Sequence, residues 1–241
     1  MRVVVTRPER SGKKTAAHLR QRGYDPVMLP LTYPVYHREA VRDAFQRPPA
    51  ALAVTSAEAL RALQTFDLDL ADQFPRPLFA VGAATASVAN DMGFQNILTG
   101  EGDGRALAKL IEKAKLEGPV LYLAGRPREG GFEETLASID IEMKIAEIYE
   151  MQAVPWKRDA VEAVLQEPAD AVLLYSRETA RIFFDLTNAM TLDNFLHHSA
   201  FICMSEKVLS AVPERFHEKA VASSVPSEAA MFELLDRLAG T

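Results

Sequence analysis

The sequence predicts an α/β protein built from two parallel sheets, each covered by helices on both faces. Three observations predict it. Its strand segments are short and apolar on both faces, they alternate with amphipathic helical segments, and the whole pattern runs through the chain twice.

Taken in order, Val3–Val5 reads as a strand and Ser11–Arg22 as a helix, with Gly23 placed to stop it. Val27–Leu29 is the next strand. Ala51–Val54, Leu78–Val81, Ile97–Leu98 and Val120–Ala124 follow, and Gly93 marks another helix end after Met92. Ala171–Leu174, Ala200–Met204 and Ala220–Ala222 complete the set. Strands without polar–apolar alternation are those buried on both sides, which is the condition of a parallel sheet under helices.

The repeat is explicit. VVVTRPERSG at Val3–Gly12 resembles LYLAGRPREGG at Leu121–Gly131, and Arg7-Pro8 stands 119 residues before Arg126-Pro127. The same offset carries Leu29 to Ile148. ALAVTSAEAL at Ala51–Leu60 resembles AVLLYSRETA at Ala171–Ala180, matching Ser56 to Ser176 at an offset of 120. FAVGAATASV at Phe79–Val88 resembles FICMSEKVLS at Phe201–Ser210, and each copy then has a strand, a loop of small residues (Thr99–Gly104, Ser223–Ser227) and a last helix.

The chain is therefore a half-unit, its complement, and both again. Residues 1–29 can complete a five-stranded domain with the segment that follows or with the last quarter of the chain, and the repeat alone leaves both open. The extended segments Leu31–Tyr36 and Tyr149–Val154, set among Pro30, Pro34 and Pro155, favour the second choice, because two such segments can run side by side as an antiparallel pair. The expectation is one domain from 1–30 plus 155–241, a second from 37–147, and linker strands at 31–36 and 148–154.

Composition narrows the function. At 241 residues the chain buries roughly 70% of its unfolded surface, so no metal or disulfide is needed for stability. The single cysteine, Cys203, rules out an internal disulfide and any cysteine-rich metal site. Net charge is −6, from 27 basic and 33 acidic residues, which argues against a nucleic-acid partner. The opening apolar run is too short for a signal peptide or a membrane span, so the expected setting is the cytoplasm, with no membrane partner.

Ligands of open parallel sheets bind beyond the carboxyl ends of the strands. Those loops here are Thr6-Arg7-Pro8, Thr55-Ser56, Gly82–Thr85, Thr99–Gly104, Gly125-Arg126-Pro127, Ser176-Arg177, Met204-Ser205 and Ser223–Ser227. They are rich in Thr, Ser, Gly and Arg and stand before helix N-termini, where free N–H groups and the helix dipole favour anions. Any one Ser or Thr among them is explained by capping alone. Their recurrence at equivalent places in two copies points to a polyanionic ligand.

Other chemistries lack their signatures. There is no GxxxxGK[ST] loop, and Gly100-Glu101-Gly102-Asp103-Gly104 has the wrong spacing and charge for a dinucleotide loop. No HExxH occurs, and the adjacent His197-His198 diverge as a surface pair. Cys203 lies in an apolar strand and reads as core, and neither Ser56 nor Ser176 stands in a GxSxG elbow.

At these residues the sequence resembles the uroporphyrinogen-III synthase family. The matching pieces are the amino-terminal VVVTRP, Val54-Thr55-Ser56, Val81–Ala86 with Gly93-Phe94, and Tyr122–Gly125. They continue with Ile148-Tyr149, Leu174-Tyr175-Ser176 and Ser224–Ser227. The resemblance spans nearly the whole chain and implies two flavodoxin-like, Rossmann-like lobes joined by a two-stranded linker, with the active cleft between them. It implies a lyase of heme and tetrapyrrole biosynthesis. The substrate is hydroxymethylbilane, a linear tetrapyrrole with eight carboxylates, which loses water, has its last ring inverted through a spiro intermediate and closes to uroporphyrinogen III. No cofactor or metal is implied, and a monomer is expected. By resemblance, Tyr149 helps the hydroxyl leave, and Thr55, Ser56, Thr85 and Ser176 contact substrate. Arg126 or Arg128 supplies the basic residue of its loop. Ser205-Glu206-Lys207 departs from the Pro-Thr-Thr-like stretch of many members, which leaves Ser205 to donate there. Arg7 and Gly82 complete the expected contacts. The competing class is a non-enzymatic two-lobe small-anion binding or sensor protein. A periplasmic binder needs a signal peptide and a regulator a helix-turn-helix, and neither is visible.

Overall fold

The computed structural model describes residues 1–66, 68–128, 130–165, 167–192 and 196–240. It divides into two compact units, one of Met1–Tyr33 with Gln152–Thr241, the other of Pro34–Met151.

The first unit holds β1 (Arg2–Val5), α1 (Glu9–Gln21), β2 (Asp25–Met28), α7 (Arg158–Leu165), β9 (Ala171–Leu174), α8 (Arg177–Ala189), β10 (Ala200–Cys203), α9 (Glu206–Leu209), β11 (Ala220–Ala222) and α10 (Glu228–Ala239). Its five strands pair in parallel in the order β11-β10-β9-β1-β2. Successive residues of each strand bury on opposite faces, which is why the strands lack alternation. Val4, Val172, Leu174, Phe201 and Cys203 pack with α7, α8 and α9 through Val161, Phe183, Phe184 and Val208. Val3, Val5, Ala171, Leu173 and Ile202 pack under α1 and α10 against Leu19, Met231, Phe232 and Leu235. β2 begins earlier than the apolar pattern suggests and includes Pro26. It is an edge strand, so the missing N–H costs no ladder bond.

The second unit holds α2 (Arg38–Ala44), β4 (Ala51–Val54), α3 (Ala57–Thr65), β5 (Pro77–Ala80), α4 (Ala83–Met92), β6 (Asn96–Thr99), α5 (Gly104–Lys113), β7 (Val120–Arg126) and α6 (Gly131–Ser138). β3 (Thr32–Tyr36) and β8 (Met143–Ala153) cross the boundary between the units along the chain. Their sheet runs β3-β8-β7-β4-β5-β6, parallel from β8 to β6. Read from β8, the order β8-β7-β4-β5-β6 matches β2-β1-β9-β10-β11 strand for strand. Again both faces are covered. Leu52, Val54, Leu78, Ala80, Leu121 and Leu123 pack with α2, α3 and α4, and Ala51, Ala53, Phe79, Tyr122 and Ala124 pack with α5 and α6.

The segments expected as linkers, 31–36 and 148–154, lie largely in β3 and the far part of β8. The His37 N–H donates to the Ile148 carbonyl and the Val154 N–H to the Leu31 carbonyl, both at 2.9 Å. Partner numbers fall as chain numbers rise, so this edge pairing is antiparallel. β8 is one continuous strand of 11 residues, because nothing breaks it before Pro155. It carries one irregularity, a β-bulge. Ala124 pairs with Glu147 and Gly125 with Tyr149, leaving Ile148 as the extra residue.

Candidate active site

In each unit the parallel strands bring their carboxyl ends to one sheet edge. In the second unit that edge collects Thr55, Ser56, Gly82, Arg126 and the loop 100–103. The bulge adds Tyr149. In an unbroken strand Ile148 and Tyr149 face opposite ways, yet both belong to the apolar cluster that α3 and α4 cover. The extra residue turns Tyr149 onto that face, as bulges do beside functional sites. Tyr149, expected at the start of a separate linker segment, is part of the continuous β8. It lies in the middle of β8, opposite the end of β7.

Gly125 makes room for the ring. A Cβ built there falls 2.1 Å from Cζ of Tyr149 and 2.5 Å from both Cε atoms, so only glycine permits this approach. The phenol is 8% exposed and hydrogen-bonds to Ser56. Burial raises its pKa, with the Ser56 hydrogen bond working in the opposite direction. It is a neutral phenol at neutral pH, with a proton to give.

Ser56 is the N-cap of α3 and accepts the Glu58 N–H at 3.1 Å. Beside it, Thr55 Oγ1 lies 2.7 Å from the hydroxyl of Tyr122. Tyr122 is buried in β7, edge-on to Phe132, and burial raises its pKa. Two tyrosines from adjacent strands thus bond to the consecutive hydroxyls Thr55 and Ser56. Gly82 caps α4 without a side chain, and Thr85 is buried in the first turn of that helix. The acidic loop is tied down. Gly100 and Gly102 N–H groups donate to the Ala80 and Val81 carbonyls at 2.8 Å, and Asp103 caps α5 through the Ala106 N–H, also at 2.8 Å.

Arg126 pairs with Glu147 at 3.2 Å, and Arg128 donates to Glu147 at 2.6 Å while also bonding Glu133. The hydrogen bond from Arg128 holds the Glu147 carboxyl below its usual range, outweighing burial.

In the first unit Arg7 follows β1, Ser176 follows β9, Ser205 follows β10 and Ser223 follows β11. Ser176 caps α8 through the Thr179 N–H at 3.1 Å. Ser205 stands at the N-cap position of the short α9 but makes no side-chain cap bond. Arg7 is engaged within the protein: its guanidinium lies 4.4 Å from the Tyr175 ring centroid and donates to Glu228 at 2.9 Å. Glu228 also accepts from Thr15 at 2.5 Å and Tyr175 at 2.9 Å, with His18 at 3.4 Å. Burial pushes its carboxyl up, but the Thr15 and Tyr175 hydrogen bonds and the Arg7 charge win and leave it lowered.

The structure thus gathers Thr55, Ser56, Gly82, Arg126 and Tyr149 at one edge, with Thr85 in the adjoining helix, and Arg7, Ser176 and Ser205 at the other unit's edge. Sequence reading gave no role to Tyr122, Gly125, Glu147 or Glu228, although Tyr122 and Gly125 stand in a piece that carries the family resemblance. Only Gly125 left a signal, a glycine inside an apolar strand. Cys203 is fully buried, and burial pushes its thiol up to about 12, so it is no nucleophile at neutral pH. Among the described residues, no cluster of three or more His, Cys, Asp or Glu is placed to hold a metal, and no helix is long and apolar enough to cross a membrane.

Comparison with known proteins completes the picture. A uroporphyrinogen-III synthetase from Helicobacter pylori is similar, with a TM-score of 0.68 at 21% identity over 89% of this chain and 93% of that one. A mutant uroporphyrinogen III synthase from Thermus thermophilus is similar with a TM-score of 0.59 at 18% identity, over 100% and 99% of the two chains. At these identities the likeness shows the fold. No curated protein sequence matches. The family model described as uroporphyrinogen-III synthase HemD matches residues 13–233. That match takes in nearly every element above, and the chain belongs to the uroporphyrinogen-III synthase family of enzymes.

Proposed function

We propose that this chain closes hydroxymethylbilane to uroporphyrinogen III with loss of water, and that Tyr149 is the proton donor. The observation that carries the residue assignment is the aim of Tyr149. A bulge, a glycine and the Ser56 cap fix a neutral phenol among strand-end hydroxyls. In the reaction the bond from carbon to the terminal hydroxyl breaks, and the phenolic proton leaves with that hydroxyl as water. The electron-rich pyrroles supply the electron pair. The last ring inverts through the spiro intermediate, and the phenolate regains a proton when the closing ring carbon gives one up. The enzyme supplies proximity and one positioned acid.

Arg7, Thr55, Ser56, Gly82, Thr85, Arg126, Ser176 and Ser205 provide the substrate contacts, spread over the strand-end loops of both units. A charge-assisted hydrogen bond is worth about 1.5–3 kcal/mol, so several of them reach micromolar binding at about −8 kcal/mol after association entropy is lost. Such a site loses affinity by degrees when single contacts are removed. The proposed protein is a cytoplasmic monomer that needs no cofactor, with domains at 1–30 plus 155–241 and at 37–147 and linker strands at 31–36 and 148–154. The test is Tyr149→Phe assayed with hydroxymethylbilane. Loss of kcat at unchanged melting temperature supports the role, and full kcat overturns it.

A further inference from the structure

The arginines at the end of β7 already hold a carboxylate, and it is the protein's own. Glu147 bridges them, one oxygen to Arg128 at 2.6 Å and the other to Arg126 at 3.2 Å. We propose that Glu147 is an internal stand-in, occupying a carboxylate site on Arg126 and Arg128 that one of the substrate's side-chain carboxylates takes when it binds. The proposal rests on the polycarboxylate substrate argued above.

Four features carry it. The site is open: the side chains of Glu147 and Arg126 are 36% and 52% exposed, so solvent and ligand reach the pair. It lies on the strand-end edge, on the same strand as Tyr149 and just across the bulge. Glu147 is ionised at neutral pH: the hydrogen bond from Arg128, helped by the charges of Arg126 and Arg128, lowers its pKa against the effect of burial. Arg128 is separately held by Glu133, so its guanidinium stays in place when Glu147 swings away. The equivalent arginine of the other repeat makes a contrast. Arg7 also has an internal partner, but Glu228 is additionally fastened by Thr15 and Tyr175 and is the less exposed carboxylate at 23%. Glu228 is a fixed brace. Among the described residues, the Glu147 side chain is hydrogen-bonded or ion-paired only to the two arginines, and a ligand carboxylate replaces it like for like.

Glu147→Gln tests this. It keeps the side chain's shape and can still accept from Arg128, but it removes the competing charge. KM for hydroxymethylbilane should fall roughly two- to fivefold, the margin by which a partly exposed ion pair holds its partners, without a matching loss of kcat. Binding of uroporphyrin III, an octacarboxylate probe followed by fluorescence, should tighten by the same factor and weaken more steeply with salt. Arg128→Met should loosen both. If Glu147→Gln leaves KM and probe affinity unchanged or weaker, Glu147 is a brace like Glu228 and the proposal fails. If the wild-type protein does not turn over hydroxymethylbilane, the substrate reading fails separately, and the probe titration still decides between stand-in and brace.

Discussion

Replacing Gly125 with alanine tests the site through a residue that does no chemistry. The added methyl carbon falls 2.1 Å from Cζ of Tyr149, where ordinary contact begins at 3.4 Å. The ring must recede by about 1.3 Å, or β7 and β8 must part, and overpacking of this kind costs about 1–3 kcal/mol. In a chain of this length that lowers the melting temperature by roughly 2–12 °C and leaves the protein folded. A displacement of about 1 Å at a reacting group costs on the order of 10²-fold in rate. The loss cannot exceed that of removing the phenol, so the expected result is a folded Gly125→Ala enzyme with kcat reduced about 10- to 100-fold, no further than in Tyr149→Phe, and KM little changed. The assay is turnover of hydroxymethylbilane with the uroporphyrin isomers resolved after oxidation. A double-mutant cycle sharpens it. Because the glycine acts on the rate through the phenol, Gly125→Ala should lower kcat almost no further once Tyr149 is phenylalanine, while the overpacking against the ring carbons still lowers the melting temperature. A Gly125→Ala enzyme with wild-type kcat, or additive losses in the cycle, refutes the reasoning.

Other outcomes follow from the same contacts. Tyr149→Phe should lower kcat about 10- to 100-fold, toward the low end of general-acid contributions because the substrate is itself reactive, with the melting temperature preserved. Thr55→Ala and Ser176→Ala should each mainly raise KM, as losses of one contact among many, read from initial rates over a range of substrate concentrations. Glu228→Gln should cost about 2 kcal/mol, a drop of roughly 4–8 °C at neutral pH, since it weakens a partly buried carboxylate's bonds to Arg7, Thr15 and Tyr175. The folded-state pKa of Glu228 is lowered, so its stabilisation is fully present above the unfolded value of 4.5 and is lost as pH falls through the folded value. Melting curves of wild type and variant should converge in acid, and a gap independent of pH would contradict this. Cys203 should resist iodoacetamide in the native protein at pH 8 and react on unfolding, as mass spectrometry would register.

The fold was legible where one segment decides its own fate. Val3–Val5, Ala51–Val54 and Ala171–Leu174 are apolar at every position, and such a run has a stable place only in a sheet covered on both sides. Ser56, Ser176 and Ser227 announced helix starts because an N-cap bond spans only two or three residues. What stayed hidden is set by partners far along the chain. The bulge at Ile148 exists only in register with β7, so nothing local to residues 143–153 shows which way Tyr149 faces. Arg7 meets Glu228 across 221 residues, and no local pattern marks either as the other's partner. Tyr122 reads as one more core aromatic until its hydroxyl is seen against Thr55. The strand-end loops were thus readable as a class, while the side chains that orient them were not.

Closure with inversion of the last ring is the proposed reaction, and the identity of the product isomer tests it most directly. Hydroxymethylbilane incubated with the purified protein and oxidised should give uroporphyrin III, formed faster than the substrate closes alone. Closure without inversion gives the symmetric isomer, so the symmetric product at the uncatalysed rate would contradict the account.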